Sequence, residues 1–362
     1  MAASSLFAKI FPPPRYMTLP SVGVDISESS LKYIQFAQSG ARRTLARWGD
    51  IPIPEGVVSR GDVTNKAALV DVLRQVRAAC STPYVRLSLP EERAYLFETT
   101  IERGTPYSDI RGLLEFRMEE NVPLSPRDAF FDYDIVEDDV DDKVLRVGVA
   151  VYGRETIINY YDACIEAKLL PLSFEVEADA IVRAASPQDD DGTFMVIDFG
   201  KTRTGIGIVH KRALLYTSTI DIGGVHLSNA LRQVYGDVPE DELTKLKNEK
   251  GLLHTGEEHD VYEALLPTVA ALKDEIDTRV VYWNTRTAEA GERAIEKVIL
   301  CGGSANMAGL PEYFTEVLGI EAERADIWKN VFVKDTEALP ITRRYSYGYA
   351  TAVGLALRDE LA

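Results

Sequence analysis

FMVIDFGKTRTGIGIV, residues 194–209, decides how this chain folds. Its DFG is the triplet that holds magnesium in protein kinases, and the GKT that follows matches the end of a P-loop. Spacing removes both identities. A P-loop wraps phosphates with successive backbone N–H groups and needs glycine where this chain has Met195, inside an apolar run. A kinase also needs a glycine-rich loop, a strand lysine, an HRD-type loop and an APE segment, none of which is present. What remains is a buried strand through Val196 and Ile197 that ends in Asp198. A turn with Gly200 and small hydroxyl residues follows, then a returning strand read as GIGIVHKRALLY. Such a hairpin presents a carboxylate and several backbone donors at its tip.

The start of the chain repeats the pattern. VGVDISESSLKYIQF, residues 22–36, is again a strand ending in aspartate, a small-residue turn and a returning strand. Two such hairpins facing each other can hold a polyphosphate and its Mg²⁺ between them. Mg²⁺ keeps most of its waters and is held by one or two carboxylates plus the phosphates, a role suited to Asp25 and Asp198. Turn N–H groups at 26–30 and 200–204 would form anion-binding nests. The competing structural reading makes both aspartates turn caps.

Composition narrows the function classes. The chain has 362 residues, 46% hydrophobic and 27% charged, enough for more than one core. A net charge of −17 argues against nonspecific nucleic-acid binding. No apolar run approaches the length of a membrane-spanning helix, and MAASSLFAKIFPPPRYMTLP does not read as a signal peptide. Cys80, Cys164 and Cys301 are far apart and read as core thiols of a cytoplasmic protein. The four histidines show no metal-ligand spacing.

Strands and helices alternate throughout, which predicts an α/β protein. The section from about 84 to 152 has its own rhythm, with strands at YVRLSLP and AYLFETTIE, a helix at SDIRGLLEFRMEEN, then the hairpin FFDYDIV and KVLRVGVAVY. The hairpin tip EDDVDDK reads as a solvated turn, and PQDDDG as a break between halves. The second half holds a long helix at about 260–288 with Val261, Leu265, Val269, Leu272, Ile276 and Val280 on one face, and a terminal helix is read over about 345–361.

Taken in order, VGVDISESSLK, EVEADAIVRA, VIDFGKTRTGIGIV, VILCGGSANMAGLPEYF and YGYATAVGLAL resemble the motifs of the actin-like ATPase superfamily. They match its two phosphate loops, its two connecting helices and its adenosine motif. Within it the chain is similar to the PilM family of type IV pilus assembly proteins and its FtsA relatives. The similarity rests on the inserted segment, on IDIGGVHLSNAL and on the lysine helix ELTKLKNEKG. Ser27 departs from the glycine usual there.

The resemblance implies a two-lobed, ribonuclease H-like α/β fold and an ATP·Mg²⁺ cleft with weak or absent hydrolysis. It implies an extension over 1–20, a first lobe at 21–85 completed by 166–190 and 345–362, an inserted α+β subdomain at 86–165, and a second lobe at 191–344 with an outer part at 226–292. Ser27, Glu28, Ser29, Ser30 and Lys32 would bind phosphate from one side, and Gly200, Lys201, Thr202 and Thr204 from the other. Gly224, Gly302, Gly303 and Ser304 would let the nucleotide lie against backbone, Lys247 would reach ribose or adenine, and Asn306 would cap the helix after the GGS turn. For Lys32 the rival reading is a surface lysine, and for Lys247 a member of a lysine-rich helix. Glu177 aligns with the residue that orients attacking water in hydrolysing members, or is structural. The family also implies binding to the cytoplasmic N-terminal tail of the inner-membrane protein PilN and contact with other pilus inner-membrane components. That makes the protein peripheral at the inner membrane, and leaves self-association open. Two rivals share the fold: a small-molecule kinase, for which Asp179 is the substrate-side candidate, and an FtsA-like division protein, which would be expected to end in an amphipathic membrane helix.

Overall fold

The computed structural model describes residues 20–39, 42–137, 143–186, 191–253, 259–287, 294–332 and 341–358. The N-terminal extension, most of the EDDVDDK tip and most of PQDDDG lie outside the described residues.

Strands β1 (Val22–Ile26), β2 (Ser30–Ser39) and β3 (Arg42–Pro52) form a meander. A short ribbon, β4 (Val58–Ser59) with β5 (Asp62–Val63), leads to helix α1 (Lys66–Ala79) and strand β6 (Tyr84–Leu89). Asn65 caps α1 by accepting the Ala68 N–H at 3.1 Å. The chain then leaves this layer for β7 (Ala94–Glu102), α2 (Tyr107–Asn121), β8 (Ala129–Glu137), β9 (Val144–Gly153) and α3 (Arg154–Glu166). It returns as β10 (Leu170–Val176), followed by helix α4 (Glu177–Ala185). Tyr84–Leu89 pairs within the first sheet, and the inserted sheet begins at Ala94. In that sheet, ordered β7-β9-β8, Leu114 and Met118 of α2 pack on Phe97, Ile101, Val147 and Val149.

The second lobe contains β11 (Thr193–Phe199), β12 (Thr204–His210), β13 (Ala213–Ile220), α5 (Gly224–Tyr235), α6 (Glu240–Glu249) and α7 (His259–Thr287). Strand β14 (Lys297–Cys301), helix α8 (Leu310–Leu318), strand β15 (Glu321–Arg324) and helix α9 (Ala350–Leu357) complete the chain. Val261, Leu265, Val269, Leu272 and Ile276 form the buried face of α7, and Val280 packs half-buried beside them. All three cysteines are buried free thiols.

The two five-stranded sheets have the same order, β10-β6-β1-β2-β3 and β15-β14-β11-β12-β13. In each, the strand ending in aspartate pairs antiparallel with its hairpin partner and parallel with the strand on its other side. Register places Asp25 opposite Lys32 and Asp198 opposite Gly205. GIGIVHKRALLY is not one strand, as the sequence suggests. Lys211 and Arg212, at φ 47° and 69°, break it into β12 and β13 with a left-handed turn that carries no glycine or asparagine signal. Strand β15 was also unforeseen, because EAER has no strand signature. The terminal helix read over 345–361 is regular as α9, with single helical turns before it.

Helices α4 and α9 cross between the sheets. Helix α9 is buried nearly all round, as its unbroken small and apolar sequence requires. A Cβ on Gly354 would stand 1.7 Å from the Ala180 carbonyl oxygen, and one on Gly23 would stand 2.0 Å from that of Ala352. Backbone thus touches backbone at both crossings. In an ordinary helix Gly→Ala stabilises by about 1 kcal/mol. Here Gly354→Ala should destabilise by about 1–3 kcal/mol through overpacking. A urea midpoint equal to or above that of the wild type would contradict this crossing.

Candidate functional site

A cleft of about 630 Å³ opens where the two Asp-ended hairpins face each other. One wall carries Asp25, Ser27, Glu28, Ser29, Ser30 and Lys32; the other carries Asp198, Gly200, Lys201, Thr202 and Arg203. Gly302 and Gly303 border it after β14, and Glu91 and Glu177 line it from the first lobe.

The first hairpin is self-braced. Ser27 N–H and Oγ both donate to the Ser30 carbonyl at 3.0 Å, and Ser27 Oγ accepts the Ser30 N–H at 3.2 Å. The Ser29 carbonyl accepts the Ile53 N–H at 3.0 Å, which fixes the loop to β3's end. Lys32 Nζ donates to Ser30 Oγ at 2.7 Å and lies 3.9 Å from Asp50. The Glu28 carboxylate accepts the Arg60 N–H at 2.7 Å and a guanidinium N–H of Arg203 at 2.6 Å. Its side chain is therefore engaged in tying loops together. In the second hairpin Gly200 N–H donates to the Arg203 carbonyl at 2.9 Å. Gly302, at φ 84°, passes so close that a Cβ would lie 2.3 Å from Asp198 Oδ1. Only glycine fits both the left-handed backbone and that approach.

Burial and crowding of like charges dominate the electrostatics. Burial pushes the Asp25 carboxyl up against the pull of Lys32 and a 3.0 Å hydrogen bond from Ser88 Oγ. Burial and the neighbouring Asp25 push Asp198 up to about 6. Glu177, the first residue of α4, is held well above the usual carboxylate range by burial and by Asp25, Glu91 and Asp198. Glu91 is pushed up to about 8 by burial and Asp198. One Glu91 oxygen caps α4 by accepting the Ala178 N–H at 3.0 Å, where Val176 at the cap position has no side chain to do so. Its other oxygen is buried and unsatisfied among the described residues. An oxygen-rich site whose carboxylates repel one another fits a hard divalent cation such as Mg²⁺, with Asp25 and Asp198 as its candidate holders. Glu91 and Arg203 escaped the sequence reading, although PEER beside a strand end and a charged hairpin tip were visible signals.

Several nucleotide-binding candidates are placed differently from the expectation. Lys247 is buried, its Nζ donating to Ser228 Oγ at 2.7 Å and lying 3.3 Å from Glu240. Burial lowers its pKa against the pull of Glu240, and it does not border the cleft. Thr204 Oγ1 donates to the Ile222 carbonyl at 2.6 Å and Ser304 Oγ to the Gly200 carbonyl at 3.0 Å. Both hydroxyls brace loops. Gly224 packs between these loops, where a Cβ would stand 2.5 Å from Ser304 Oγ. Asn306 lines a second cavity of about 710 Å³ that shares Lys32, Asp50 and Gly303 with the first and adds Trp48, Lys245 and Asn248. Asn248, one residue from Lys247, lines this space together with Asp241, Thr244, Lys245 and Glu249 of α6.

A separate groove of about 550 Å³ lies between the edge strands β8 and β10. Phe130, Ile135 and Phe174 supply apolar wall, Asp132, Asp134, Glu175 and Asp179 supply acid, and Arg183, Lys211, Arg212 and Arg358 supply base. Burial and Asp134 push Asp179 up to about 7. Asp179 borders this groove, and it is not among the residues lining the hairpin cleft.

Two sheets of identical order, joined by crossing helices and presenting facing Asp-ended hairpins, define the actin-like, ribonuclease H-like fold. A chain of a solved PilM-PilN type IV pilus biogenesis complex is similar over 94% of this chain and 98% of its own, at 21% identity and TM-score 0.76. MreB 5 of Spiroplasma citri bound to AMPPNP matches over 95% of this chain and 96% of its own, at 10% identity and TM-score 0.55. The ethanolamine utilization protein EutJ from Carboxydothermus hydrogenoformans matches over 96% and 90%, at 17% identity and TM-score 0.52. The family model described as "Type IV pilus assembly protein PilM" matches residues 23–360, and the chain belongs to that family.

The raised carboxyl of Asp198 makes stability depend on pH. Its pKa rises from 3.8 to about 6 on folding, so between those values the folded protein holds the extra proton. That contribution is full at low pH and is lost as pH rises through about 6. Asp198→Asn should therefore raise metal-free stability near neutral pH by about 3 kcal/mol, read as a higher urea midpoint. It should also flatten the stability profile across that window. An unchanged profile would contradict a buried, repelled carboxyl.

Proposed function

We propose that the protein is an ATP-binding scaffold of type IV pilus assembly that docks the cytoplasmic tail of a PilN-type membrane protein, with nucleotide setting its conformation. The observation that carries the nucleotide reading is the pair of facing hairpins, with Asp25 and Asp198 in one cleft bordered by Gly200, Gly302 and Gly303. In this reading Asp25 and Asp198 hold Mg²⁺ largely through its waters, and Mg²⁺ neutralises the phosphates. Turn N–H groups and Lys32 bind the phosphates, and Asn306 and Asn248 face the nucleoside.

Hydrolysis is weak or absent in this proposal. Glu177 lines the cleft, where burial and the nearby Asp25, Glu91 and Asp198 oppose its ionised form, the form a general base needs. The kinase alternative is weakened because Asp179 lines the groove. Among the described residues no helix is long and apolar enough to cross a membrane. A partner tail would therefore hold the protein at the inner membrane.

The β8–β10 groove suits such a tail. Two sheet edges offer backbone donors and acceptors to an extended peptide, which would bury alternate side chains against the groove walls. The chain's net charge of −17 favours basic residues flanking the peptide. Two titrations test the proposal. Asp198→Ala should weaken Mg·ATP by about 1.5–3 kcal/mol, with wild-type turnover well below about 1 s⁻¹. Half-exposed Ile135, changed to Asp, should lose binding of a synthetic tail from the PilN of the same genome while retaining Mg·ATP. Undiminished tail binding would remove the groove, and undiminished Mg·ATP binding by Asp198→Ala would remove the metal site.

A further inference from the structure

Arg203 stands at the tip of the second hairpin and reaches out of its own lobe. One guanidinium nitrogen lies 2.6 Å from Glu28 on the first hairpin, and the other bonds Glu92, which follows β6. Asp221, after β13, lies 3.7 Å from its Nε. The side chain is only 17% exposed although it lines the cleft. Three carboxylates thus share one guanidinium, and two of them come from the opposite lobe.

The cleft's other cations are differently placed. Lys32 lies on the first hairpin's returning strand, donating to Ser30 and 3.9 Å from Asp50, and Lys201 is exposed at the rim. Carboxylates outnumber cations along the walls, where Asp25, Glu28, Glu91, Glu92, Glu177 and Asp198 face Lys32, Lys201 and Arg203. An anion entering between the hairpin tips needs a cation there. A planar guanidinium offers paired donors that match phosphate as well as carboxylate.

We propose that Arg203 is a phosphate ligand of this cleft, held by Glu28 and Glu92, and that Glu28 competes with the nucleotide's outer phosphates for it. The inference rests on the nucleotide reading above and deepens it. Binding then exchanges an interlobe ion pair for a phosphate contact, and Arg203 distinguishes nucleotides by their number of phosphates. That exchange is also a direct route by which nucleotide can alter the tie between lobes.

Calorimetric titrations with Mg·ATP, Mg·ADP and adenosine test it, using wild type, Arg203→Gln, Glu28→Gln and the double variant. Arg203→Gln should weaken Mg·ATP by at least about tenfold, weaken Mg·ADP less, and leave adenosine unchanged. Glu28→Gln should tighten Mg·ATP several-fold when Arg203 is present and have no effect in the Arg203→Gln background. Equal weakening by both single variants would reduce the contact to a structural clasp and overturn the proposal. Equal tightening by Glu28→Gln with and without Arg203 would also overturn it, leaving only removal of a negative charge. Should Arg203→Gln not fold, Arg203→Lys keeps the charge and loses the fork, and should weaken Mg·ATP more than Mg·ADP; no difference between the two would count against the proposal. Wild-type protein that binds none of the three ligands would overturn the cleft reading and this inference with it. Wild-type binding that Arg203→Gln leaves unchanged would overturn this inference alone.

Discussion

The crossing of α4 and α9 is the contact on which the structure depends. Gly354 lies against the Ala180 backbone with no room for a methyl group, and α9 meets β1 equally closely at Gly23. These approaches set how far apart the two sheets sit. Because both sheets have the same strand order, a close crossing also brings their equivalent hairpins face to face. The position of Asp25 relative to Asp198 is therefore a packing consequence of residues at the domain centre.

That placement carries an electrostatic penalty. Burial raises the pKa of Asp25, Glu91, Glu177 and Asp198 alike, with Asp25 adding to the shift of Asp198, Asp198 to that of Glu91, and all three to that of Glu177. A fold optimised for stability alone would not gather four carboxylates there. Sites that violate local rules while the surrounding fold holds them in place are where function concentrates. Compensation comes from the frame around the cleft. Glu91 caps α4, Ser88 donates to Asp25, and Arg203 bridges Glu28 and Glu92. Of these contacts the Arg203 bridge joins the two lobes, while Glu91 and Ser88 act within the first.

Much of this was legible in the sequence because it rests on local patterns. Strand, aspartate, small turn and returning strand appear twice, and the pairing of β1 with β2 and of β11 with β12 follows the pattern. The buried stripe of α7 was legible from its spacing. Failures came where tertiary context decides. Lys247 and Asn248 are neighbours on one helix, and only the rotation of α6 buries the lysine and turns the asparagine to the cavity. Thr204 and Ser304 have the right chemistry for a ligand, but nearer backbone carbonyls take their hydroxyls. The turn at Lys211–Arg212 needs left-handed backbone without the usual residues, so it left no trace in composition. Arg203 and Glu28 could be paired only once both hairpin tips were known to meet.

The inserted sheet places the β8–β10 groove beside this cleft. Helix α4 spans the two, since Glu177 at its start lines the cleft and Asp179 lines the groove. A shift of α4 would therefore be felt on both sides, and under the proposed function it would couple nucleotide to partner. All of this rests on nucleotide lying between the two hairpins. The most direct test is a crystal structure grown with Mg²⁺ and a non-hydrolysable ATP analogue. Density for the polyphosphate between the Asp25 and Asp198 hairpins, with the metal a water's reach from both carboxylates, is the expected result. Ligand density in the β8–β10 groove instead, or an empty cleft at saturating analogue, would contradict it.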